Sequence, residues 1–160
     1  MRNILLAPLS ETELGAILAE TAGRTLLPPL GDPAWAAARE NPAVVSWLTP
    51  LIDRAVAEAD EPLPELTDEL YADFFRTGVR INFERLYFER RRRLGRAAFA
   101  VLLGDETVRT RLLPSFRRKL EDIFAETSWT LPASIWNEPS GKDPFTIDLF
   151  AAESANTFAE

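Results

Sequence analysis

The sequence contains no cysteine and no histidine among its 160 residues. Without a thiol or an imidazole, the chain cannot supply a Cys or His nucleophile, a Ser-His-Asp triad or a zinc site with the usual nitrogen and sulfur ligands. Its acidic residues also lack the spacing of a calcium-binding loop. We therefore expect no bound metal and no cofactor, and we assign no catalytic residue.

Long apolar runs are missing as well. Residues 1–10 offer one positive charge and a short apolar stretch that ends at Pro8, which is unlike a signal peptide. No uninterrupted apolar stretch approaches the roughly 20 residues that cross a bilayer. We expect a soluble, cytoplasmic protein with no membrane partner, folded as a single helical domain over residues 1–160.

Basic residues are outnumbered overall but concentrated in one stretch. The chain has 18 Lys and Arg against 25 Asp and Glu, a net charge of -7, which argues against nucleic acid as a partner. From Arg76 to Lys119, however, thirteen basic side chains accompany four acidic ones, so this stretch carries +9 and the remainder carries -16. One part of an acidic protein is therefore locally basic.

Apolar residues recur at helical spacing through most of the chain, and no stretch alternates like a β-strand. The pattern predicts an all-α fold built from helical hairpins. Ser10 and Glu13 form a capping box before a helix over 11–23, and the longest helix is predicted from about 80 to Leu103. Other helices are expected near Asp32-Pro33, Asn41-Pro42, Thr67-Gly78, Leu112-Phe124 and after Asp143-Pro144, with a kink or a split at Pro50.

The run Arg90-Arg91-Arg92-Arg93 has two interpretations, an anion-binding face or a solvated helix face. Four consecutive residues spread over all sides of a helix, so they cannot form one patch by themselves. Arg90 differs because it falls on the predicted apolar stripe and must either meet a buried acid or line a cavity. We interpret Glu84, Glu89 and Glu126 as members of ordinary intrahelical ion pairs.

The aromatic loop around Trp129 and Trp136 also has two interpretations. Flat rings can stack on the apolar faces of sugars, and aromatic residues in loops also form small satellite cores. Tyr87 lies on the apolar stripe, where we expect a core side chain with a bonded hydroxyl.

Three segments in the second half of the chain resemble bacterial heparinase II/III-like proteins. The first covers Thr77–Glu84 and continues through Tyr87–Leu94. The second, Ser128–Ser134, is similar to that family's Trp-x-x-Pro-Ala-His stretch, and the third, Ile147–Ala155, resembles its Asp-Leu-Phe-Ala-Ala-Glu-Thr helix. The resemblance implies that the helical hairpins form part of an incomplete (α/α) toroid, in a family whose enzymes cleave acidic polysaccharides by β-elimination.

The resemblance also implies a substrate-binding site. Its expected members are Arg80, Trp129, Ser134, Trp136 and Asn137, with an acidic oligosaccharide as the ligand. Ser134 stands where the family pattern has His, and the family's downstream β-sandwich domain is not in this sequence. We therefore expect the chain to contribute to a cleft without being catalytic alone.

A non-enzymatic helical module for binding or assembly is the alternative. The absence of every usual catalytic imidazole and thiol favours it. The apolar pattern of the last predicted helix, Ile147, Phe150, Ala151, Ala155 and Phe158, runs to Glu160 without a stop signal. We expect this helix to serve self-association or the docking of a missing C-terminal domain.

Overall fold

A computed structural model describes residues 10–21, 27–135 and 146–159, and every regular element within these ranges is helical. This confirms the predicted all-α fold class. No helix among the described residues is both long enough and apolar enough to span a bilayer. The helices are α1 (Glu11–Thr21), α2 (Pro33–Glu40), α3 (Pro42–Ala57), α4 (Asp68–Thr77), α5 (Ile81–Leu103), α6 (Glu106–Phe124), a short 3-10 turn (Pro132–Ser134) and α7 (Leu149–Ala159).

Most helices begin and end at the predicted signals. Ser10 and Glu13 form the reciprocal capping box of α1, in which each accepts a backbone N–H bond from the other. Thr67 accepts from Leu70 N–H at the start of α4, and Gly78 ends this helix with a left-handed φ of 73°. Side-chain caps also begin α2, α3 and α6, through Asp32, Asn41 and Asp105 respectively.

The helix α3 passes through Pro50 without a split. Proline removes the N–H that would otherwise bond to the carbonyl of Ser46. Ser46 and Pro50 are both exposed, so water can hydrate that carbonyl and the loss is tolerated. Pro114 occupies a similarly exposed position within α6.

The central helix is α5, which packs against both α3 and α6. It contributes to every apolar cluster of the core, with Phe83 and Tyr87 in one, Leu94 in a second, and Ala100 and Val101 in a third. The predicted stripe is therefore confirmed as the buried face. Its buried members are Phe83, Tyr87, Arg90, Leu94, Ala97 and Val101.

The buried face of α7 differs from its predicted one. Ala155 is exposed, and Ile147 precedes the helix with 79% of its surface exposed. Phe150 and Phe158 pack inward as predicted, and Ser154 lies buried between them. The buried face therefore consists of Phe150, Ser154 and Phe158, which are spaced four residues apart. Because the central residue is polar, the spacing of apolar residues in the sequence cannot identify this face. Residues 22 and 23 and the predicted start at Asp143-Pro144 lie outside the described residues.

Replacing Leu94 with alanine should destabilise the fold strongly. Leu94 is buried between Leu63 and Ile123, and truncating a core leucine costs about 2–5 kcal/mol of unfolding free energy. The control Arg92→Ala, on the same helix but largely exposed, should change the free energy by no more than about 0.5 kcal/mol. Urea denaturation measures both, and an unchanged midpoint for Leu94→Ala would show that the α5 register is wrong.

Candidate functional site

The helix α5, the loop after α6 and α7 meet at the Tyr87 hydroxyl. Tyr87 on α5 is 1% exposed, and its hydroxyl donates to the Trp129 carbonyl oxygen at 2.8 Å. The Ser154 hydroxyl on α7 lies 3.3 Å away and is the donor of the second bond. Burial raises the pKa of the Tyr87 phenol. One buried side chain therefore joins α5, the loop after α6 and α7.

Arg91 reinforces this junction from the neighbouring position. Its guanidinium carbon lies 3.3 Å from the centroid of the Tyr87 ring, and its Nε donates to the Ser154 hydroxyl at 3.1 Å. Its Nη2 donates to Glu126 at 2.8 Å. The guanidinium thus contacts Tyr87 on α5, Ser154 on α7 and Glu126 after α6.

Glu126 binds a second arginine, which fulfils the requirement predicted for Arg90. Its side chain is 7% exposed, and it accepts from Arg90 Nε at 2.6 Å. Arg90 Nη1 donates to the carbonyl oxygen of Pro64, and Arg90 Nη2 donates to the carbonyl oxygen of Asp122. The interpretation of Glu126 as an intrahelical partner is wrong, because this carboxylate follows α6 and pairs with α5.

Nine of the thirteen basic side chains in the basic stretch pair with carboxylates, and five of the nine use acids from distant segments of the chain. Glu58, Asp60 and Glu61, which follow α3, pair with Arg96, Arg111 and Arg93 respectively. Within the run, Arg90, Arg91 and Arg93 are committed to acids from other segments, whereas Arg92 stays largely exposed with a local pair to Glu89. The arginines of this stretch that pair with carboxylates are Arg76, Arg80, Arg90, Arg91, Arg92, Arg93, Arg96, Arg109 and Arg111.

Lys119 forms a buried pair with Ser115 that resembles a nucleophile and its base. Its Nζ lies 2.6 Å from the Ser115 hydroxyl and also donates to the Glu58 carbonyl oxygen. Burial lowers the pKa of Lys119, and the charges of Arg118 and Arg93 add to this effect. Both members of the pair are buried, so a substrate cannot reach them and we assign them a structural role.

The predicted substrate-binding residues lie in different surroundings. Arg80 precedes α5, with its side chain 56% exposed and paired to Glu84 at 2.7 Å. Ser134 is half-buried in the 3-10 turn. No hydrogen bond joins Arg80, Trp129 and Ser134 to one another in the described part of the chain. Trp136 and Asn137 lie outside the described residues.

Trp129 is part of a small aromatic cluster. Its indole N–H donates to the Ile123 carbonyl oxygen at 3.0 Å. The ring packs against Phe124 and Phe158, with centroids 5.9 Å and 5.0 Å away. This arrangement is the satellite core that the sequence offered as the second interpretation of the aromatic loop.

Asp148 holds the loop in place. One carboxylate oxygen accepts from Leu131 N–H at 3.0 Å, and the other accepts from Ala151 N–H in the first turn of α7 at 2.7 Å. Thr130 adds a hydroxyl bond to the carbonyl oxygen of Thr146. The path of the loop is therefore set by hydrogen bonds to α7.

A polar cavity of about 270 Å³ lies beside the Arg90–Glu126 pair. Its walls carry four carboxylates and a single guanidinium, which repel a uronate. No group of three or more acidic residues in the described ranges could hold a metal ion. The residues that define this cavity are Glu65, Asp68, Tyr71, Phe83, Arg90, Asp122 and Glu126.

An apolar groove of about 640 Å³ runs along α5, with walls from α6, α7 and residues 27–30. Its floor includes Gly95 and Ala98, and its charged lining residues are Arg91, Arg92 and Glu153. We call this feature the apolar groove. Its apolar lining side chains include Phe88, Phe99, Leu102, Phe116, Phe150 and Phe158.

Sequence reasoning missed the partners that build the junction. Arg90 on an apolar stripe signalled that a buried acid exists, but nothing marked Glu126 among the acids after α6. Asp148 belongs to a residue type that commonly caps helices, whereas nothing in the sequence indicates that Ser154 is a buried partner of Tyr87. Comparison with protein families, curated proteins and solved structures finds no match.

Removing the Tyr87 hydroxyl should weaken the junction. Tyr87→Phe leaves the partly buried Trp129 carbonyl oxygen without its donor, which should cost about 1–3 kcal/mol of unfolding free energy. Thr107→Ala removes an exposed hydroxyl and serves as the control. Thermal and urea denaturation measure both variants, and equal stability of Tyr87→Phe and wild type would contradict the assigned role.

Glu89 should make the free energy of unfolding depend on pH in the acid range. Burial opposes its ionisation, but hydrogen bonds from Arg93, Arg92 and Arg96 together lower its pKa. A carboxyl group with a lowered pKa contributes stability that is complete above its unfolded value of about 4.3 and is lost as pH falls through the folded value. Unfolding free energies of Glu89→Gln should therefore decline less than those of wild type between about pH 6 and pH 3. Equal declines would contradict this assignment.

Proposed function

We propose that this chain is the helical, toroid-type part of a heparinase II/III-like protein, and that it forms one wall of a cleft for acidic polysaccharides. The observation that carries the proposal is the convergence of the three resembling segments on Tyr87. Segments far apart in sequence resemble the family in the same order, and they are also the segments that hold one another in place. The toroid arrangement and a cytoplasmic location are parts of the proposal.

The start of α5 is the surface best suited to a uronate. Arg80 pairs only with a neighbouring acid, Glu84, in an exposed intrahelical contact, and such pairs contribute about 1 kcal/mol or less. A ligand carboxylate can therefore replace Glu84. Arg90 and Arg91 cannot exchange in this way, because they are committed to buried Glu126. Arg85 is also exposed here and makes no ion pair in the described part of the chain.

In β-elimination, a cation on the uronate carboxylate acidifies the adjacent C–H bond and a base removes that proton. The C=C bond then forms as the bond from the β-carbon to the oxygen of the leaving sugar breaks, and that oxygen takes up a proton. Arg80 supplies the cation in this proposal. The chain has two tyrosines, Tyr71 and Tyr87, and both are buried. Neither phenol can reach a bound sugar, so we assign binding to this chain and the base to another part of the assembly.

Calorimetric titration with uronic-acid oligosaccharides tests the proposal. Arg80→Gln should weaken binding about tenfold, which corresponds to one lost charge-assisted hydrogen bond. Arg92→Gln is a matched control, because Arg92 lies on the same helix, is 55% exposed against 56% for Arg80, and also pairs with a neighbouring glutamate. Absorbance at the unsaturated-uronate band, recorded in parallel, should stay flat.

Absence of binding to every oligosaccharide in the series would overturn the proposal. Equal weakening by both substitutions would instead show a general charge effect and would also remove Arg80 from the site.

Exposed apolar side chains at the start of α7 favour a second candidate, a non-enzymatic binding or assembly module. Ile147 and Leu149, at the start of α7, are 79% and 74% exposed. Apolar side chains this exposed at one end of a helix are typical of a contact surface. Failure to bind sugar, together with a molecular mass above that of a monomer in sedimentation, would support this candidate.

A further inference from the structure

We propose that the apolar groove binds an apolar organic anion, an aliphatic carboxylate of the fatty-acid type, with its chain along α5 and its carboxylate at Arg92. This inference is independent of the polysaccharide cleft. Small-molecule sites have volumes of about 300–1,000 Å³ and are lined mainly by apolar side chains with a few polar groups that orient the ligand. The groove, at about 640 Å³, has this size and this composition.

Gly95 is the first observation that indicates an occupant. It lies in the interior of the 23-residue helix α5, where glycine destabilises the helix relative to alanine. A Cβ atom built on Gly95 meets nothing within 4 Å, so the packing of this chain does not require glycine. The missing side chain keeps the floor of the groove open, as expected where another molecule closely approaches the backbone.

The charges at the groove are the second observation. Arg91 is committed to Glu126 and Ser154. Arg92 is largely exposed and uses its Nε for Glu89, which leaves its terminal amino groups to donate to a carboxylate. Glu153 on α7 is the acid that lines the groove, and it is exposed. A bound carboxylate is therefore expected near Arg92 and away from Glu153.

The length of the groove suggests the length of the ligand. Arg92 and Leu102 both line it, and ten residues of helix span about 15 Å. A stretched chain of about 12 carbon atoms covers this distance, and each buried CH2 should tighten binding about fourfold. Affinity should therefore rise from an eight-carbon to a twelve-carbon carboxylate.

The test is calorimetric titration of the full chain with octanoate, dodecanoate and dodecanol below their aggregation concentrations. Dodecanoate should bind at one site per chain and more tightly than octanoate. Arg92→Gln should weaken dodecanoate at least fivefold and leave dodecanol unchanged. Arg80→Gln should leave dodecanoate binding unchanged, which separates this site from the polysaccharide cleft.

Gly95 supplies the blocking variant and its control. Gly95→Leu should fill the groove and weaken dodecanoate at least tenfold. Gly95→Ala should retain most binding and raise the melting temperature by about 3 °C, because alanine favours the helix. A melting temperature of Gly95→Leu no lower than that of wild type would show that the loss of binding is not a loss of folding.

Any of three outcomes, in two kinds of measurement, would overturn the proposal. The first is the absence of saturable dodecanoate binding, and the second is equal affinity in wild type and Gly95→Leu. The third is a wild-type dimer that Gly95→Leu dissociates, since the groove would then belong to a second copy of the chain.

Discussion

The buried charge of Arg90 is the constraint on which the rest of the structure depends. An unpaired guanidinium at this depth would be very costly, so every donor on it must meet an acceptor. Glu126 and the carbonyl oxygens of Pro64 and Asp122 meet this requirement. These acceptors come from the linker before α4 and from the end of α6, which is why both segments are held against α5. The same carboxylate then binds Arg91, and through it Ser154 on α7.

This constraint changes how the charge pattern of the sequence is interpreted. A stretch with a charge of +9 suggests a surface for anions, but Glu58, Glu61 and Glu126 use much of that charge to close the fold. The positive charge that remains available to a ligand depends on the exposure and geometry of each arginine and not on the number of arginines. Arg80 is accessible because its partner is a weak intrahelical one, whereas Arg90 and Arg91, further along α5, are bound to the buried Glu126.

Local signals account for what could be predicted. The helix caps at Ser10, Thr67 and Gly78 and the apolar stripe of α5 depend on residues close in sequence, and the structure confirms them. The partners of the junction depend on contacts such as Arg90 with Glu126, 36 residues apart, and no local pattern encodes them. The face of α7 was only partly predicted because a polar residue, Ser154, occupies its centre. The candidate sugar site stays a prediction, since its members are not brought together by any contact in the described ranges.

Different faces of α5 form the core and the two proposed binding surfaces. Substitutions on α5 can therefore change stability and ligand binding separately. The residues from Phe83 to Val101 bury one stripe, where a substitution lowers the free energy of unfolding. Arg80, before the first turn, is exposed and carries no packing. A Cβ atom on Gly95 meets nothing within 4 Å, so alanine fits there without a clash within the chain. Alanine would also stabilise the helix, so neither the core nor the helix itself requires glycine at this position.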